Sequence, residues 1–372
     1  MDQSVFLNIG KIIERDSKTT TYKLALLRSV IEIIQENSPY IRIAGDRVHM
    51  PTGLLVLKWM TYYYPILESE PAVPQINGAY QLAFEGPLRN LIQGYKHRGG
   101  FSRFYNDLTV EGIPGHLMPD FVNLVNQLRN TITRMPMRYI GRTLSNDYYS
   151  IFCFTPGRSL NSAEVTDKLA IIEHSGSFSI PLDYFEAFRF LGSFINGQDS
   201  ILMKWAEFSA RASGDNISVA MAIDAITRSP VTDRDVQEAK RLYSNILQEE
   251  KSVYCIWTGQ RTRTYQIDHL LPFAIMKNND LWNLLPSTGP INRQKRDKIP
   301  SPDVIEKSRE RILYYWNLIH EKQEDRFDRE MKLALLGPEA DYYWQDMAIG
   351  RLQEACHYLI TNRGYEEWKP AQ

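Results

Sequence analysis

The sequence predicts an α+β protein: a mainly helical N-terminal region with a small antiparallel sheet, then a module of short strands and a helix, then C-terminal helices. Three observations point there. Apolar residues recur at helical spacing through most of the first 135 residues. An aromatic, β-prone block follows at 148–155, with further β-prone runs at 168–173 and 177–181. After residue 250 the long amphipathic runs give way to short β-prone stretches punctuated by turn residues.

The 372 residues are enough for two or three structural units. We expect a helical recognition or partner region over 1–145, a small sheet with helices over 146–250, a distinct module over 251–320 and helices over 321–372, with the sharpest boundary near 250. Hydrophobic residues make up 43% and charged residues 23%, values of a globular chain rather than a disordered one. No apolar run approaches the roughly 20 residues of a membrane span, and the N-terminus has no signal-peptide pattern, so a soluble cytoplasmic protein without membrane contact is expected. The three cysteines, Cys153, Cys255 and Cys356, form no CxxC pair, which argues against a disulfide scaffold and a structural zinc site. The net charge is −1, yet residues 251–300 hold eight Lys/Arg against three Asp/Glu. Such a local basic balance is what phosphate contacts require, although charge alone favours a solvated surface stretch.

In chain order, Leu24, Leu27, Ile31 and Ile34 mark a helix over 20–36 that Thr20 or Thr21 can cap. Helices are expected at 52–66, 78–94 and 119–134, with GGFSRFYND at 99–107 as a loop. His174-Ser-Gly reads as a turn between two β-prone runs. Residues 182–212 return to helix, with Phe185, Phe188, Phe190, Phe194 and Trp205 as core. A further helix is expected at 233–249, capped by Thr232, with Asp233 and Asp235 in its first turn.

The segment from Val253 to Ser301 carries the chemistry. Val253–Thr258 and Thr264–Ile267 are β-prone around the turn signal Gly259-Gln260, which suggests a hairpin delivering Asp268-His269 at a strand end. A polar loop at 276–280, the ridge LWNLLP and a helix starting near Ile291 and stopped by Pro300 follow. Phosphodiester hydrolysis needs a base for water, a cation on the phosphoryl oxygens and fixed geometry. Histidine suits the first near neutral pH, and Asp and Asn oxygens are hard ligands for Mg²⁺. Neighbours on a regular strand point to opposite faces, so two functions at Asp268 and His269 imply an irregular strand end.

IDHLLP, WNLLP and INRQKRDKIPS, in this order, resemble the HNH, or ββα-metal, endonuclease family. The segment is particularly similar to the HNH domain of RNA-guided CRISPR effector nucleases, including the separation of 24 residues between Asp268 and Asn292. The resemblance covers roughly 250–320. It implies that His269 is the general base, that Asp268 and Asn292 hold one Mg²⁺ or Mn²⁺, and that Asn283 braces the loop orienting His269. It implies further that Arg293, Lys295, Arg296 and Lys298 hold DNA phosphates. Many relatives carry paired zinc cysteines and this chain does not, so Trp257 and Trp282 are expected to stabilise the hairpin by packing, with Cys255 a buried apolar residue.

The first 250 residues hold no chemical motif. TTYKLALLRSVIEI and MKWAEF resemble N-terminal regions of uncharacterised bacterial HNH proteins. The aromatic and basic segment 95–105, and Arg129, Arg134, Arg138 and Arg142, read either as DNA contacts or as core aromatics with exposed charges. The other histidines show no ligand spacing. The function expected is a metal-dependent DNA endonuclease of bacterial restriction or anti-phage defence, whose N-terminal region reads the target or binds a regulatory subunit. Double-strand cleavage with one site per chain favours a homodimer. The alternatives are a binding protein with an inert HNH module and an RNase toxin using the same site.

Overall fold

The computed structural model describes residues 3–14, 19–78, 81–140, 150–165, 167–196, 201–339 and 344–370. The chain divides into two units, Met1–Glu36 with Tyr40–Pro230, and Asn37–Pro39 with Val231–Gln372. The division falls at Pro230–Val231 rather than near 250, because the helix Gln237–Glu250 buries Ala239, Leu242, Tyr243 and Ile246 in the second core.

The first unit is built of helices α1 (Gln3–Glu14), α2 (Tyr22–Gln35), α3 (Thr52–Glu68), α4 (Glu85–Tyr95), α5 (Gly100–Asn106), α6 (Met118–Arg134), α7 (Lys168–His174), α8 (Leu182–Asn196), α9 (Ile201–Ala212) and α10 (Val219–Thr227). A four-stranded antiparallel sheet of β1 (Arg42–Ala44), β2 (Arg47–Pro51), β3 (Cys153–Pro156) and β4 (Gly176–Pro181) runs in the order β1-β2-β4-β3. Val48 faces Ile180 and Met50 faces Phe178 across the central pair, and all four are buried. Of the strand expected at 148–155, residues 148 and 149 lie outside the described residues.

Several expectations need correction here. Residues 168–173 are helical, because Asp167 caps the segment by accepting from the Ala170 amide at 3.0 Å. Gly53 on α3 lets that helix approach closely, since a Cβ there would lie 2.3 Å from the Ile171 carbonyl oxygen. Residues 100–106 are helix rather than loop and run into a π-helical turn, Asp107–Glu111. Phe101 and Phe104 on this helix stack on Tyr64 with ring centroids 5.1 and 4.9 Å away. The aromatics of 95–105 are therefore largely core, and Arg103 pairs with Asp107 and Glu111. Arg129 is buried against the Arg158 carbonyl, Arg134 and Arg138 are exposed, and Arg142 lies outside the described residues. Phe190 and Phe194 are exposed, while Phe185, Phe188 and Trp205 are buried as expected.

The second unit contains α11 (Gln237–Glu250), β5 (Val253–Tyr254), β6 (Arg261–Thr262), β7 (Gln266–His269), β8 (Leu284–Ser287), α12 (Gly289–Lys295), β9 (Ile299–Pro300), α13 (Arg309–Lys322), α14 (Glu324–Met331), α15 (Trp344–Thr361) and β10 (Glu367–Trp368). Its core gathers Trp282, Trp316, Tyr243 and Tyr315. The Tyr243 hydroxyl donates to the Leu284 carbonyl at 2.9 Å and the Trp316 indole to the Trp282 carbonyl at 2.8 Å, so α11 and α13 both grip the backbone entering β8. Helix α11 begins at Gln237, later than expected. Thr232, Asp233 and Asp235 precede it, because the Asn279 carboxamide pairs with the Asp233 carbonyl at 3.1 Å and the Asp235 amide at 3.2 Å, which holds this stretch out of the helix.

In the first unit, α2 and α3 are joined by a half-buried ionic cluster. Glu32 meets Arg28 at 2.8 Å and Lys58 at 3.3 Å and accepts from the Tyr62 hydroxyl at 2.6 Å. Burial alone raises its carboxyl, but Lys58, Arg28 and the hydroxyl outweigh it and hold it at about 2. A carboxyl depressed on folding stabilises above its unfolded value of 4.5, and that contribution is lost as pH falls toward 2. Glu32→Gln is accordingly expected to cost about 1–3 kcal/mol at pH 7 and under half as much at pH 3. Urea unfolding of both proteins at the two pH values checks this; an equal loss at both would refute it.

Candidate active site

The site grows from the pairing of β7. The stretch after β5 turns back through Gly259, whose φ is +71°, and the Gly259 amide donates to the Cys255 carbonyl at 2.8 Å. This closes β5 on β6, with Val253 opposite Thr262. Strand β7 therefore does not pair with β5 as the expected hairpin required; it pairs antiparallel with β8, setting Asp268 opposite Leu285 and His269 opposite Leu284. Helix α12 follows β8 directly, which completes a strand, strand and helix unit.

Asp268 and His269 end β7 as expected, but the strand end is regular rather than irregular: both stay in the ladder, and their side chains have separate partners. Asp268 is 3% exposed; its Oδ2 accepts from the Trp257 indole at 2.7 Å and its Oδ1 from Lys295 Nζ at 3.3 Å. His269 is 1% exposed, with Nδ1 2.9 Å from Arg234 Nη2 and its ring edge-on to Phe273. Its Nε2 is buried without a hydrogen-bond partner among the described residues. Burial, then the Arg234 charge, pushes the imidazole down to about 4; Lys295 adds to this, and Asn279 and the Asn278 backbone pull part of the way back. The ring is neutral at pH 7.

Lys295 does not reach outward as a phosphate contact would. It is 0% exposed, its Nζ donates to the His269 carbonyl at 2.6 Å as well as to Asp268, and it sits 5.6 Å from the Trp257 ring centre. Three residues before it on α12, Asn292 faces the same side of the helix and donates Nδ2 to Gln266 Oε1 at 3.0 Å. Gln266 lies two residues before Asp268 on β7, on the same strand face, so Asn292 joins the Asp268 side of the strand through Gln266. Arg293 and Arg296 are exposed and make no ion pair among the described residues, whereas Lys298 pairs with Glu366.

Asn283 is fully buried. Its Oδ1 accepts from the Leu271 amide at 2.7 Å and its Nδ2 donates to the Leu271 carbonyl at 2.9 Å, while its own carbonyl accepts from the Leu270 amide at 2.8 Å. It thus clamps the backbone that leaves His269. Cys255 is buried but not merely apolar, since its sulfur lies 3.6 Å from the Ser287 hydroxyl and accepts from the Thr288 amide at 3.4 Å. Trp257 packs edge-on against Trp368, and Trp282 lies in the core.

Residues 2–226, about three-fifths of the chain, match a family model described as a domain of unknown function (DUF8808). The chain belongs to that family. Residues 256–301 match a second model, described as HNH endonuclease, so the second unit carries an HNH endonuclease domain. A stretch of 107 residues, 27% of this chain, is 30% identical to 8% of the CRISPR-associated endonuclease Cas9 of Listeria innocua serovar 6a. A stretch of 93 residues, 24% of this chain, is 32% identical to 6% of the CRISPR-associated endonuclease Cas9 of Streptococcus mutans serotype c. The chain thus spans under a tenth of the length of these curated relatives. No solved structure gives a significant match.

Three residues beside the site, Arg234, Gln266 and Asn279, are not among the candidates that the motifs single out. Gln266 was legible from its i, i+2 relation to Asp268; Arg234 and Asn279 come close only through folding. His320, assigned no ligand spacing, has Nε2 3.2 Å from Asp328 and lies with Glu324 in a surface group of three potential ligands, apart from the HNH residues in sequence.

Two buried contacts can be tested as stability elements. Asn283→Ala leaves both Leu271 backbone groups unpaired and is expected to cost about 2–4 kcal/mol, with faster amide exchange at Leu270 and Leu271. Lys295→Ala strands the buried Asp268 carboxylate and is expected to cost about 3–5 kcal/mol. Denaturant titration with hydrogen exchange checks both, and wild-type stability in either variant would contradict the burial described.

Proposed function

We propose that this protein is a metal-dependent HNH endonuclease that hydrolyses DNA phosphodiester bonds in bacterial restriction or anti-phage defence, with the N-terminal unit supplying target or partner recognition. The observation that carries the reading is His269: a histidine held neutral, at the end of β7 in an HNH endonuclease domain, next to a carboxylate and clamped from behind by Asn283.

Each residue has a part. Neutral His269 takes the proton of the attacking water. Asn283 keeps the following backbone, and hence the ring, in place. Exposed Arg293 and Arg296 hold phosphates of the DNA backbone. Asp268 and Asn292 fit a divalent cation as hard oxygen donors: the Asn292 amide nitrogen is occupied by Gln266, which leaves Oδ1 for an ion, and each Asp268 oxygen keeps a lone pair beyond its one bond. Mg²⁺ or Mn²⁺ at these donors supplies charge stabilisation to the phosphoryl oxygens and leaving group. Lys295 beside Oδ1 weakens the carboxylate's hold on a dication, so the Asn292 donor matters more than it would alone.

One observation favours a second reading, a nucleic-acid- or partner-binding protein with an inert HNH module: His269 is nearly inaccessible and Arg234 covers its Nδ1. Cleavage assays on modified and unmodified plasmid, with single-stranded RNA in parallel and metal varied, separate these readings. The expected result is DNA cleavage with Mg²⁺ or Mn²⁺, none with chelator, and a loss of about 10²–10⁴-fold in His269→Ala. Undiminished cleavage by a nuclease-free preparation of that variant would overturn the mechanism, RNA-only cleavage would indicate an RNase, and metal binding without cleavage of either would indicate the inert module.

A further inference from the structure

Arg234 donates to His269 from the stretch before α11, 35 residues away in sequence. A guanidinium has donors only, so His269 Nδ1 is the acceptor and the single proton of the neutral ring sits on Nε2. The one lone pair of the imidazole is thereby occupied, and the ring is 1% exposed. In this arrangement His269 has no free nitrogen with which to accept a proton from water.

Arg234 itself is exposed and makes no ion pair among the described residues. Its backbone is nevertheless fixed from both sides. Asn279, on the loop that follows β7, donates to the Asp233 carbonyl and accepts from the Asp235 amide, bracketing Arg234 on each side. A surface arginine with a pinned backbone and no carboxylate partner spends one donor on a neutral ring. Its planar fork matches a phosphate bidentately, and charge-assisted pairs of that kind are roughly twice as strong as neutral ones. A phosphodiester brought to this surface therefore competes successfully for the fork.

We propose that Arg234 receives the backbone phosphate of the substrate and, in turning to it, uncovers Nδ1 of His269. The base stays capped until a phosphate is present, and the same side chain then stabilises the charge on that phosphate. This rests on the nuclease reading above. The exchange is non-covalent: one hydrogen bond from the guanidinium to Nδ1 is replaced by bonds to phosphate oxygens, and the lone pair becomes available to water.

The test uses the full chain with Arg234→Ala, Arg234→Gln and Arg234→Lys. Gln keeps a donor for Nδ1 without the charge, and Lys keeps charge without the fork. Plasmid cleavage is expected to fall about 10²–10³-fold in the Ala and Gln variants, with the loss in kcat rather than KM. Lys is expected to recover part of the rate, and added guanidinium is expected to restore Arg234→Ala. Gln cutting at the wild-type rate would overturn the phosphate role, as would Ala cutting faster than wild type, which marks a cap alone. A second readout does not depend on cleavage. In metal-free protein labelled with ¹⁵N-histidine, His269 is expected as the Nε2–H form with a hydrogen-bonded Nδ1, and a short phosphorothioate DNA duplex is expected to shift that Nδ1 signal in wild type but not in Arg234→Gln. An unshifted signal, or a ring protonated on Nδ1, would overturn the proposal. If wild type cuts no nucleic acid, the nuclease reading fails while the titration still reports on the cap.

Discussion

The candidate site depends on one buried ammonium. Lys295 has no solvent exposure, yet it ties the helix it ends to two groups of the neighbouring strand, the Asp268 carboxylate and the His269 carbonyl. A buried charge is tolerated only when it is paired and hydrogen-bonded. Moving α12 away from β7 would leave both Lys295 and Asp268 uncompensated in a low-dielectric interior. The same contact that neutralises Asp268 thus sets where Asn292, one turn earlier, can stand.

Around that tie the two faces of β7 are treated differently. On the Asp268 face an indole donor and an ammonium fix the carboxylate, and Gln266 on the same face leads to Asn292. On the other side the buried His269 ring lies edge-on to Phe273, and Arg234 meets it from the segment before α11. Alternation along a strand delivers adjacent residues to opposite environments, so a carboxylate paired with Lys295 and a neutral imidazole coexist one residue apart. Asn283 makes this durable from behind, because both backbone groups of Leu271 are satisfied by a single buried carboxamide.

Much of this was readable in particular residues. The order IDHLLP, WNLLP and INRQKRDKIPS was sufficient to place a strand, an asparagine after it and a helix, which lie at β7, Asn283 and α12; the burial of Asn283 is seen only in the folded chain. The long amphipathic helices of the first unit were readable too, since their apolar spacing reports burial directly. The short apolar run at 168–173 was not, because Leu-Ala-Ile-Ile fits a buried strand as well as a helix, and the Asp167 cap and the glycine-lined approach to α3 decided it. Likewise, two glycines at 99 and 100 suggested a loop, while burial of Phe101 and Phe104 on Tyr64 made a helix.

Sequence by itself determined the inventory: which side chains can act as base, ligand and brace, and the chain order that lets them meet. Whether a basic residue faces solvent or the interior was decided only in three dimensions. Lys295 and Arg293 lie two positions apart on one short helix, and the rotation of that helix against β7 buries the first beside Asp268 and leaves the second exposed. Strand pairing was settled there too, because the turn at Gly259 closes β5 on β6 and frees β7 for β8. The placement of Arg234 over His269 has no local signature at all, for it arises where the Asn279 loop catches a distant stretch of backbone. Local patterns record what a residue prefers, and only the packed chain decides which neighbour satisfies it.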